Sequence, residues 1–372
     1  MANIKLENII KRFGQNEVIK SLSFDIKDKD FVVLLGASGC GKTTTLRAMA
    51  GLEEIDSGTI SIDNKIVNHL PARDRDIAFV FQLFALYPHL SAFDNIAFPL
   101  RAIKLPKSDI DQRVGDIAKI LRIEDILKSM PSALSGGDLQ RISMARALVR
   151  KPKALLMDEP MGTLDAKLRE ELRTELKHLH VETGSTTVYV THDQVEAMSM
   201  GDQIAIMEDG ILQQMGNPKE VYDHPANVFV AQFIGSPVMN IHDCKCAADD
   251  KGTKVVLGNG KTDTFQLSKS LIEKIKAKDG EDKDLLIGVR PEAVDIKLEP
   301  TDGYIKVEVE EIEPLGPFDI VDLSVAGSTI RGNTRTRFVD KPGDQVWIQL
   351  DESKIHLFDK ADEKSLNIKK EV

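Results

Sequence analysis

A glycine-rich loop that ends in a lysine and a threonine is the clearest chemical signal in the sequence. Residues 36–43 read GASGCGKT, and they stand between the apolar run at 31–36 and a helical pattern. Glycines let successive backbone N–H groups turn toward an anion without a Cβ in the way. The N-terminus of the following helix adds partial positive charge. The loop therefore predicts a nucleotide-phosphate site, with Lys42 on the β- and γ-phosphates and the Thr43 hydroxyl on Mg²⁺.

Two acidic residues close a second apolar run and could act on the same nucleotide. The run ALLMDEP at 154–160 contains Asp158 and Glu159. Parallel sheets bind ligands at the carboxyl ends of their strands, so both carboxylates would point into the nucleotide crevice. We expect Asp158 to serve Mg²⁺ and Glu159 to polarise an attacking water as general base. Without the upstream loop, two acids here would suit a turn or a helix cap equally well.

A second anion-binding motif lies outside the glycine-rich loop. Ser135, Gly136 and Gly137 stand directly before a helical pattern at 139–150. A serine hydroxyl, glycine N–H groups and a helix N-terminus together suit a phosphate. One explanation is a head-to-tail dimer, in which the loop of one copy and this tip of the other enclose the same ATP. The alternative, a capped helix after a glycine turn, is the better interpretation of the short motif alone.

Composition places the chain among ordinary globular proteins. It has 372 residues, enough for two or three domains, and 42% are hydrophobic while 29% are charged. A disordered, collagen-like or disulfide-built chain is therefore excluded. The net charge of −10 argues against nucleic acid as a partner, and three cysteines favour a reducing compartment. We expect neither a signal peptide nor a membrane span, because no apolar run is long enough.

The region 1–235 alternates apolar runs with helical patterns, which predicts a mostly parallel sheet covered by helices. Its predicted strands lie at 31–36, 154–160, 186–193 and 202–210. The segment 88–151 is largely helical in pattern. We interpret this segment as a helical subdomain inserted into the sheet domain.

The sequence pattern of the remainder, 236–372, predicts a small β-barrel or sandwich. Residues 236–240 suggest a linker. Apolar and polar residues alternate at 305–310 and 345–350, with Gly and Pro turns nearby, which predicts half-buried strands. We expect 269–284 to form a short helix and a solvated charged loop.

The order and spacing of the motifs resemble the ATP-binding cassette (ABC) ATPases. The matching motifs are the Walker A loop 36–43, the Q-loop residue Gln82, the signature LSGGDLQR at 134–141, Walker B at 154–160, the D-loop residue Asp165 and the switch histidine His192. The resemblance implies an α/β P-loop NTPase fold with an inserted helical subdomain. A looser likeness of GVRPEAVDI at 288–296 implies a C-terminal OB-fold-like regulatory domain.

The resemblance also implies roles for single residues. Its catalytic residues are Glu159, His192 and Gln82, and its Mg²⁺ ligands are Thr43, Gln82 and Asp158. Its ATP-binding residues in one chain are Phe13, Gly36, Ala37, Ser38, Gly39, Cys40, Gly41, Lys42, Thr43 and Thr44. Its residues acting on ATP from the second chain are Ser135, Gly136, Gly137 and Asp165.

Narrower features indicate an importer and its partners. Segments 86–101, 164–173 and 191–235 resemble the ATPases of maltose, trehalose and glycerol-3-phosphate importers. This implies a second ATPase subunit (identical or a paralogue), two integral membrane permease subunits and an extracytoplasmic solute-binding protein. The chain would lie peripherally on the cytoplasmic side of the inner membrane. The alternatives are the ATPase of a polyamine, iron or sulfate importer, and a soluble ABC protein of translation or DNA repair.

Four residues depart from the family pattern or are unusual in it. Phe13 stands where a tyrosine usually stacks on adenine, and its π-face preserves stacking. Asp138, where many relatives have glutamine, puts a negative charge near a phosphate site. Gly162 replaces a usual serine and would loosen a dimer seam. Cys40 lies beside a helix N-terminus, so we expect a lowered thiol pKa and alkylation that blocks hydrolysis unless ATP protects.

Overall fold

The chain folds into two compact units, which divide it after Pro218. The computed structural model describes residues 2–249, 252–257, 264–266, 285–325 and 327–366. Contacts cluster within Met1–Pro218, the N-terminal unit, and within Lys219–Val372, the C-terminal unit. This division precedes the domain boundary at 235/236 that the sequence suggests, and that boundary stays a prediction.

Two sheets form the described part of the N-terminal unit. Their strands are β1 (Ile4–Phe13), β2 (Asn16–Ile26), β3 (Phe31–Gly36), β4 (Ser57–Ile62), β5 (Lys65–Ile66), β6 (Ile77–Val80), β7 (Ala154–Asp158), β8 (Thr186–Thr191), β9 (Gln203–Glu208) and β10 (Ile211–Gly216). One sheet has the order β10-β9-β3-β8-β7-β6, and the other has the order β2-β1-β4-β5. In the first sheet only the β9–β10 pairing is antiparallel. The prediction of a mostly parallel sheet is confirmed.

The central strands β3, β7 and β8 are buried on both faces, as the near-continuous apolar run at 31–36 predicts for β3. Every residue of β3, β7 and β8 is buried. Strand β8 pairs in parallel with both β3 and β7, so the carboxyl ends of all three strands meet at one edge of the sheet. The glycine-rich loop, the acid pair and His192 all emerge at this edge.

The antiparallel sheet has no counterpart among the sequence predictions. Along β1 the alternation of buried and exposed residues breaks between Leu6 and Ile9, where the pairing with β2 shifts register. Asn8 adopts a φ of +50° within this β-bulge. Because the bulge interrupts the period-2 signal, alternation alone does not reveal the strand. The sheet nevertheless shares one apolar core with the central strands.

The helices of the N-terminal unit include three that fill the long segment between β6 and β7. The helices are α1 (Lys42–Ala50), α2 (Ala92–Ala102), α3 (Lys107–Ile120), α4 (Gly136–Leu148), α5 (Ala166–Thr183) and α6 (Gln194–Met200). Residues 81–153 are all described and contain α2, α3 and α4 without a strand. The helical character expected for 88–151 is therefore observed. No helix in the described parts of the chain is long and apolar enough to cross a bilayer.

Side-chain caps fix where four of these helices begin. The capping residues are Ser91 for α2, Ser135 for α4, Asp165 for α5 and Asp193 for α6, and each accepts a backbone N–H of the first turn. Such caps satisfy N–H groups that have no partner inside the helix. Helix α4 therefore begins right after Ser135, three residues earlier than its apolar periodicity suggests.

The C-terminal unit is mostly antiparallel β-structure. Helices α7 (Pro218–Asp223) and α8 (Val228–Phe233) lead into the strands β11 (Asn240–Asp249), β12 (Gly252–Leu257), β13 (Thr264–Gln266), β14 (Leu285–Val289), β15 (Val294–Lys297), β16 (Ile305–Pro314), β17 (Phe318–Val325), β18 (Ser328–Arg335), β19 (Gln345–Leu350) and β20 (His356–Asp359). In the described residues they form sheets of order β13-β12-β11-β14-β20 and β15-β19-β16-β17-β18 around an aliphatic core. The prediction of a small all-β domain is confirmed. The helix and loop expected at 269–284 lie outside the described residues.

Arg290 ties the two short helices to the β-structure within the C-terminal unit. Its buried guanidinium donates to the backbone carbonyl oxygens of Tyr222 and Ile234, each at 2.7 Å. The same group lies 3.6 Å from the centroid of the Tyr222 ring. The segment 288–296, noted above for its family likeness, therefore has a structural role in this unit.

Candidate functional site

The glycine-rich loop is shaped by close backbone approaches that exclude side chains. It connects β3 to α1. A Cβ on Gly36 would collide with the carbonyl oxygen of Met207 and with the sulfur of Cys40. Gly41 has a φ of +99°, and a Cβ there would lie 2.9 Å from the carbonyl oxygen of Val18. Both positions require glycine, because any larger residue would displace the loop from the edge of the sheet.

Lys42 is held over this loop by the loop's own carbonyl groups. Its side chain is buried, and Nζ donates to the backbone oxygens of Gly36 and Ala37 at 2.8 Å each. Residues 37–39 are exposed beside it. An ammonium group next to an exposed loop and a helix N-terminus creates a positive site suited to phosphate.

Thr43 and Asp158 form the first of two side-chain pairs at the sheet edge. The Thr43 hydroxyl donates to Asp158 Oδ1 at 2.7 Å, and Arg47 Nη2 lies 4.0 Å from Asp158 Oδ2. Asp158 is only 4% exposed, and burial raises the pKa of its carboxyl group. A hydroxyl and a carboxylate are the hard oxygen donors that Mg²⁺ prefers, so this pair fits that cation.

Glu159 forms the second cluster, with Gln82 and His192. Its Oε2 atom lies 3.3 Å from Gln82 Nε2 and 3.4 Å from His192 Nδ1. The backbone of Glu159 has a φ of +43°, an uncommon value for a residue with a side chain, and its N–H donates to Val190 at 3.1 Å. Strain of this kind costs about 1–3 kcal/mol and is concentrated at functional sites. The turn directs the carboxylate away from Asp158 and toward Gln82 and His192.

A buried network supports the turn that carries His192. Tyr189 and Thr191 donate hydroxyl hydrogen bonds to Glu196 Oε2 at 2.9 Å and 2.7 Å. Burial raises the pKa of Glu196. Arg169 Nη1 lies 3.4 Å from Asp193 Oδ2, and its Nη2 donates to a backbone oxygen in the segment before α5 at 3.0 Å. Sequence reasoning missed Glu196 and Arg169. The available signal was a carboxylate on the apolar face of a short helix.

The tip formed by Ser135, Gly136 and Gly137 lies at the start of α4. The Ser135 hydroxyl accepts from the backbone N–H of Asp138 at 3.3 Å and donates to Asp138 Oδ2 at 2.6 Å. The glycines pack against Leu164 and Leu168, and a Cβ on Gly137 would lie 2.8 Å from Leu168. The motif is thus a helix cap, and its serine and first glycine are exposed.

The predicted site residues fall into three groups. Lys42, Thr43, Asp158, Glu159, Gln82 and His192 gather at the carboxyl edge of β3, β7 and β8. The Ser135 tip and Asp165 lie beside each other, and Asp165 caps α5 by accepting from Leu168 N–H at 3.0 Å. Phe13 ends β1 with its ring half exposed, and Lys11 Nζ lies 4.8 Å from the ring centroid. In the described part of the chain, no hydrogen bond or ion pair joins these three groups directly.

The segment after Gln82 projects an apolar side chain into solvent. Leu83 is 74% exposed, and Phe84 and Ala85 both have positive φ values near +50°. Arg146 on α4 donates to the backbone oxygens of Ala85 and Phe84 at 2.8 Å and 3.1 Å. Arg146 therefore fixes a strained turn between the catalytic-edge glutamine and the helices α2–α4.

A strand–loop–helix motif of the phosphate-binding type, a hydroxyl–carboxylate pair that fits a divalent cation and a positioned carboxylate are the features of an ATPase of the P-loop type. Three family models match the chain: "ABC transporter" at residues 19–162, "MalK OB fold domain" at 235–294 and "TOBE domain" at 287–358. The OB-fold-like class expected for the second domain is thereby confirmed.

Curated relatives match nearly the whole chain. The trehalose/maltose import ATP-binding protein MalK of Thermococcus litoralis is 44% identical, over 98% of this chain and 100% of its own. The oligosaccharides import ATP-binding protein MsmX of Bacillus subtilis is 41% identical, over 98% and 99%. The sn-glycerol-3-phosphate import ATP-binding protein UgpC of Paracoccus denitrificans is 42% identical, over 96% and 98%.

Solved structures match the cassette. The dimeric structure of the bacterial ABC transporter cassette MJ0796 is 34% identical and covers 58% of this chain and 98% of its own, with a TM-score of 0.53. A second dimeric MJ0796 structure, in a post-hydrolysis state bound to ADP and Pi, is 33% identical to this chain and has the same TM-score. The chain belongs to the ABC transporter family, as an ATP-hydrolysing subunit of the importer type.

Cys40 corrects one expectation. The prediction that Cys40 has a reactive thiol of lowered pKa is wrong, because Cys40 is only 5% exposed and burial raises the pKa of its thiol. The nearby charge of Lys42, whose Nζ lies 3.8 Å from the sulfur, lowers the pKa but does not outweigh burial. A helix N-terminus activates a thiol only where the thiolate can be solvated or paired.

We predict slow alkylation of Cys40 in the folded protein. Because thiolate is the reactive form and burial disfavours it, iodoacetamide at neutral pH should modify Cys40 at least ~10-fold more slowly than in denaturant. Peptide mass spectrometry measures both rates, and Cys244, also buried, is the matched control within the same chain. Equal rates at Cys40 with and without denaturant would contradict the burial argument.

Asp158→Asn is predicted to stabilise the nucleotide-free protein. The folded-state pKa of Asp158 lies above the ordinary 3.8, so ionisation in the fold carries a cost that appears as pH rises past that value. The amide removes this cost and still accepts from Thr43. Thermal unfolding should give a Tm roughly 1–3 °C above wild type near neutral pH, and little difference near pH ~4.

The exposed Asp111→Asn substitution controls for loss of one negative charge. It should leave the Tm within about 1 °C of wild type at both pH values. A lower Tm for Asp158→Asn at neutral pH would show that ionised Asp158 stabilises the fold.

Proposed function

We propose that this chain is the motor of an importer for a sugar, a polyol or a glycerol-3-phosphate-like solute. ATP would bind between two ATPase subunits, and its hydrolysis would drive two membrane-spanning permease subunits. The observation that carries this proposal is the position of Glu159, whose carboxylate lies between Gln82 and His192 at the carboxyl edge of the sheet.

The nucleotide would be bound first by the glycine-rich loop. Backbone N–H groups of Gly36–Thr44 would bind the phosphates, with Lys42 turning from the loop carbonyls to the β- and γ-phosphate oxygens. Phe13 is half exposed and would stack on adenine. Thr43, Asp158 and Gln82 would hold Mg²⁺, which when bound neutralises charge on the phosphates.

Hydrolysis would depend on a carboxylate acting on water. Glu159 would accept a proton from the attacking water, and His192 and Gln82 would hold the water and the γ-phosphate in position. The distances of 3.3 Å and 3.4 Å from Oε2 support this assignment, because all three groups already converge on one point. The network around Glu196 would keep the turn of His192 in place.

A second copy, or a paralogue, would complete each site. Ser135, Gly136, Gly137 and Asp165 would face the ATP bound by the partner, in a head-to-tail dimer with two such sites. The exposure of the Ser135 tip supports this arrangement, as does the dimeric state of the MJ0796 cassettes. ATP would then act as a ligand that favours the closed dimer through its differential affinity.

The membrane partners would bind at the turn after Gln82. Leu83 projects into solvent there, and the ring of Phe98 on α2 is exposed as well. A turn held by Arg146 could transmit movement between Gln82 and a permease. The chain would thus be peripheral, on the cytoplasmic side of the membrane, and an extracytoplasmic binding protein would deliver the solute.

The names of the relatives support the class of solute. They refer to trehalose/maltose, oligosaccharides and sn-glycerol-3-phosphate, and another relative, at 40% identity, transports sulfoquinovosyl glycerol. These favour a hydroxyl-rich solute over the polyamine, iron or sulfate alternatives. Full-length matches to import subunits likewise favour a transporter over a soluble ABC protein.

Glu159→Gln is predicted to trap an ATP-bound dimer. The amide keeps the size of the side chain but cannot accept a proton, so ATP hydrolysis should fall at least ~100-fold while ATP still binds. Size-exclusion chromatography with and without ATP measures the dimer, and phosphate release measures turnover. Glu182→Gln, an exposed change on α5, is the control and should match wild type in both. Wild-type turnover in Glu159→Gln would remove Glu159 from the proposed role.

Uptake in a strain that lacks this protein tests the solute class. We predict loss of uptake for at least one sugar, polyol or glycerol-3-phosphate, restored by the wild-type chain but not by Glu159→Gln. Putrescine, ferric iron and sulfate uptake should be unchanged. Loss confined to one of those three would replace the proposed solute class with the corresponding alternative.

A further inference from the structure

The hydroxyl of Ser135 is already engaged by a carboxylate of its own chain. Ser135 Oγ donates to Asp138 Oδ2 at 2.6 Å, and the Ser135 backbone N–H points to the same oxygen at 3.3 Å. Ser135 has one hydroxyl proton, so it cannot donate to Asp138 and to a phosphate at the same time. Both hydrogen-bond donors of Ser135 are therefore satisfied by Asp138.

Capping geometry alone does not set Asp138 apart. Ser91 and Asp94 at the start of α2 form a matching pair, with the Ser91 hydroxyl donating to Asp94 Oδ2 at 2.7 Å. The two caps differ in how the carboxylate is compensated. Arg101 Nη2 lies 2.6 Å from Asp94 Oδ1.

Asp138 has a weaker counter-charge than Asp94. The nearest atom of Arg141 lies 3.7 Å from Asp138 Oδ1. That guanidinium also binds Glu175, with Nε–Oε2 and Nη2–Oε1 distances of 3.0 Å and 3.3 Å. One cation thus serves two carboxylates, and a net negative charge remains at the tip of α4.

We propose that Asp138 is a latch that raises the ATP concentration needed to close the dimer. This inference rests on the proposed function, in which Ser135 binds the γ-phosphate of ATP held by the partner. On closure the Ser135 hydroxyl turns from Asp138 to the phosphate and can still accept the Asp138 N–H. The Asp138 carboxylate loses a short hydrogen bond and then faces a like charge across the interface.

The latch acts through charge as well as through the hydrogen bond. A carboxylate and a phosphate on opposite sides of the interface repel each other even in water, and more strongly in a closing interface with less solvent. Salt screens such repulsion between partly exposed groups. Asp138 therefore disfavours closure of the dimer at low ATP concentration and low ionic strength. In a two-fold dimer this repulsion acts at both ATP sites.

Dimerisation in the Glu159→Gln background tests the latch. Analytical ultracentrifugation across an ATP titration gives the ATP concentration at half-maximal dimer. Asp138→Asn should lower this concentration about 3-fold to 10-fold. Asp138→Glu keeps the negative charge, so its half-maximal ATP concentration should remain within about 2-fold of that of the protein with Asp138. The difference in half-maximal ATP concentration between the protein with Asp138 and the Asp138→Asn variant should become smaller when the salt concentration rises from about 0.05 M to about 0.5 M.

Two further variants separate the latch from its alternatives. Asp94→Asn neutralises the matching carboxylate at the start of α2, where Ser91 remains the cap, and should leave the half-maximal ATP concentration unchanged. Neutralising a carboxylate in the first turn of a helix is then not by itself the cause of a shift. Ser135→Ala should prevent ATP-dependent dimerisation. If Ser135→Ala dimerises normally, the proposed function itself fails. Another outcome is that Ser135→Ala fails to dimerise, while Asp138→Asn has the same half-maximal ATP concentration as the protein with Asp138 at both salt concentrations. This outcome would overturn the latch alone and leave the proposed function standing.

Discussion

The site depends on how β7 ends. Asp158 is the last residue of the strand and pairs with Val190, and the N–H of Glu159 still donates to Val190. Successive side chains of a strand point to opposite sides, so the two neighbouring carboxylates separate. The left-handed backbone of Glu159 then completes the separation, with one acid at Thr43 and the other at Gln82 and His192.

This separation gives the two carboxylates different environments. Asp158 is buried, its pKa is raised, and it has a hydroxyl neighbour. Glu159 is more exposed and converges with a histidine and an amide. A cation site and a water-activating base can thus lie next to each other in the sequence without competing for one position. The fully buried strands β3 and β8 provide the rigid frame that this arrangement requires.

The sequence patterns identified the parts of the fold that are locally consistent. Short apolar runs predicted β3, β7, β8 and β9 but not β6 or β10, and motif spacing predicted the residues of the edge. The antiparallel sheet of the N-terminal unit was not predicted, because the bulge at Asn8 interrupts the alternation of buried and exposed residues along β1. Helix α4 begins earlier than its periodicity because Ser135 caps it, and a cap is decided by one side chain rather than by a period.

Burial explains what sequence reasoning got wrong or missed at the site. The thiol of Cys40 lies beside a helix N-terminus, but Cys40 belongs to a buried apolar cluster whose other members, such as Met207, are distant in sequence. Glu196 becomes part of the site only because β8 and α6 enclose it with Tyr189 and Thr191. Arg169 joins two loops that no local pattern connects. Each of these features is a property of tertiary packing.

The most direct measurement is a high-resolution structure of the Glu159→Gln protein with ATP bound. The side chain at position 159 should lie about 3 Å from a water that faces the γ-phosphorus, with His192 and Gln82 beside it and Ser135 of a second copy against the phosphate. A side chain turned away from the nucleotide, with another residue holding that water, would contradict the division of roles between Asp158 and Glu159.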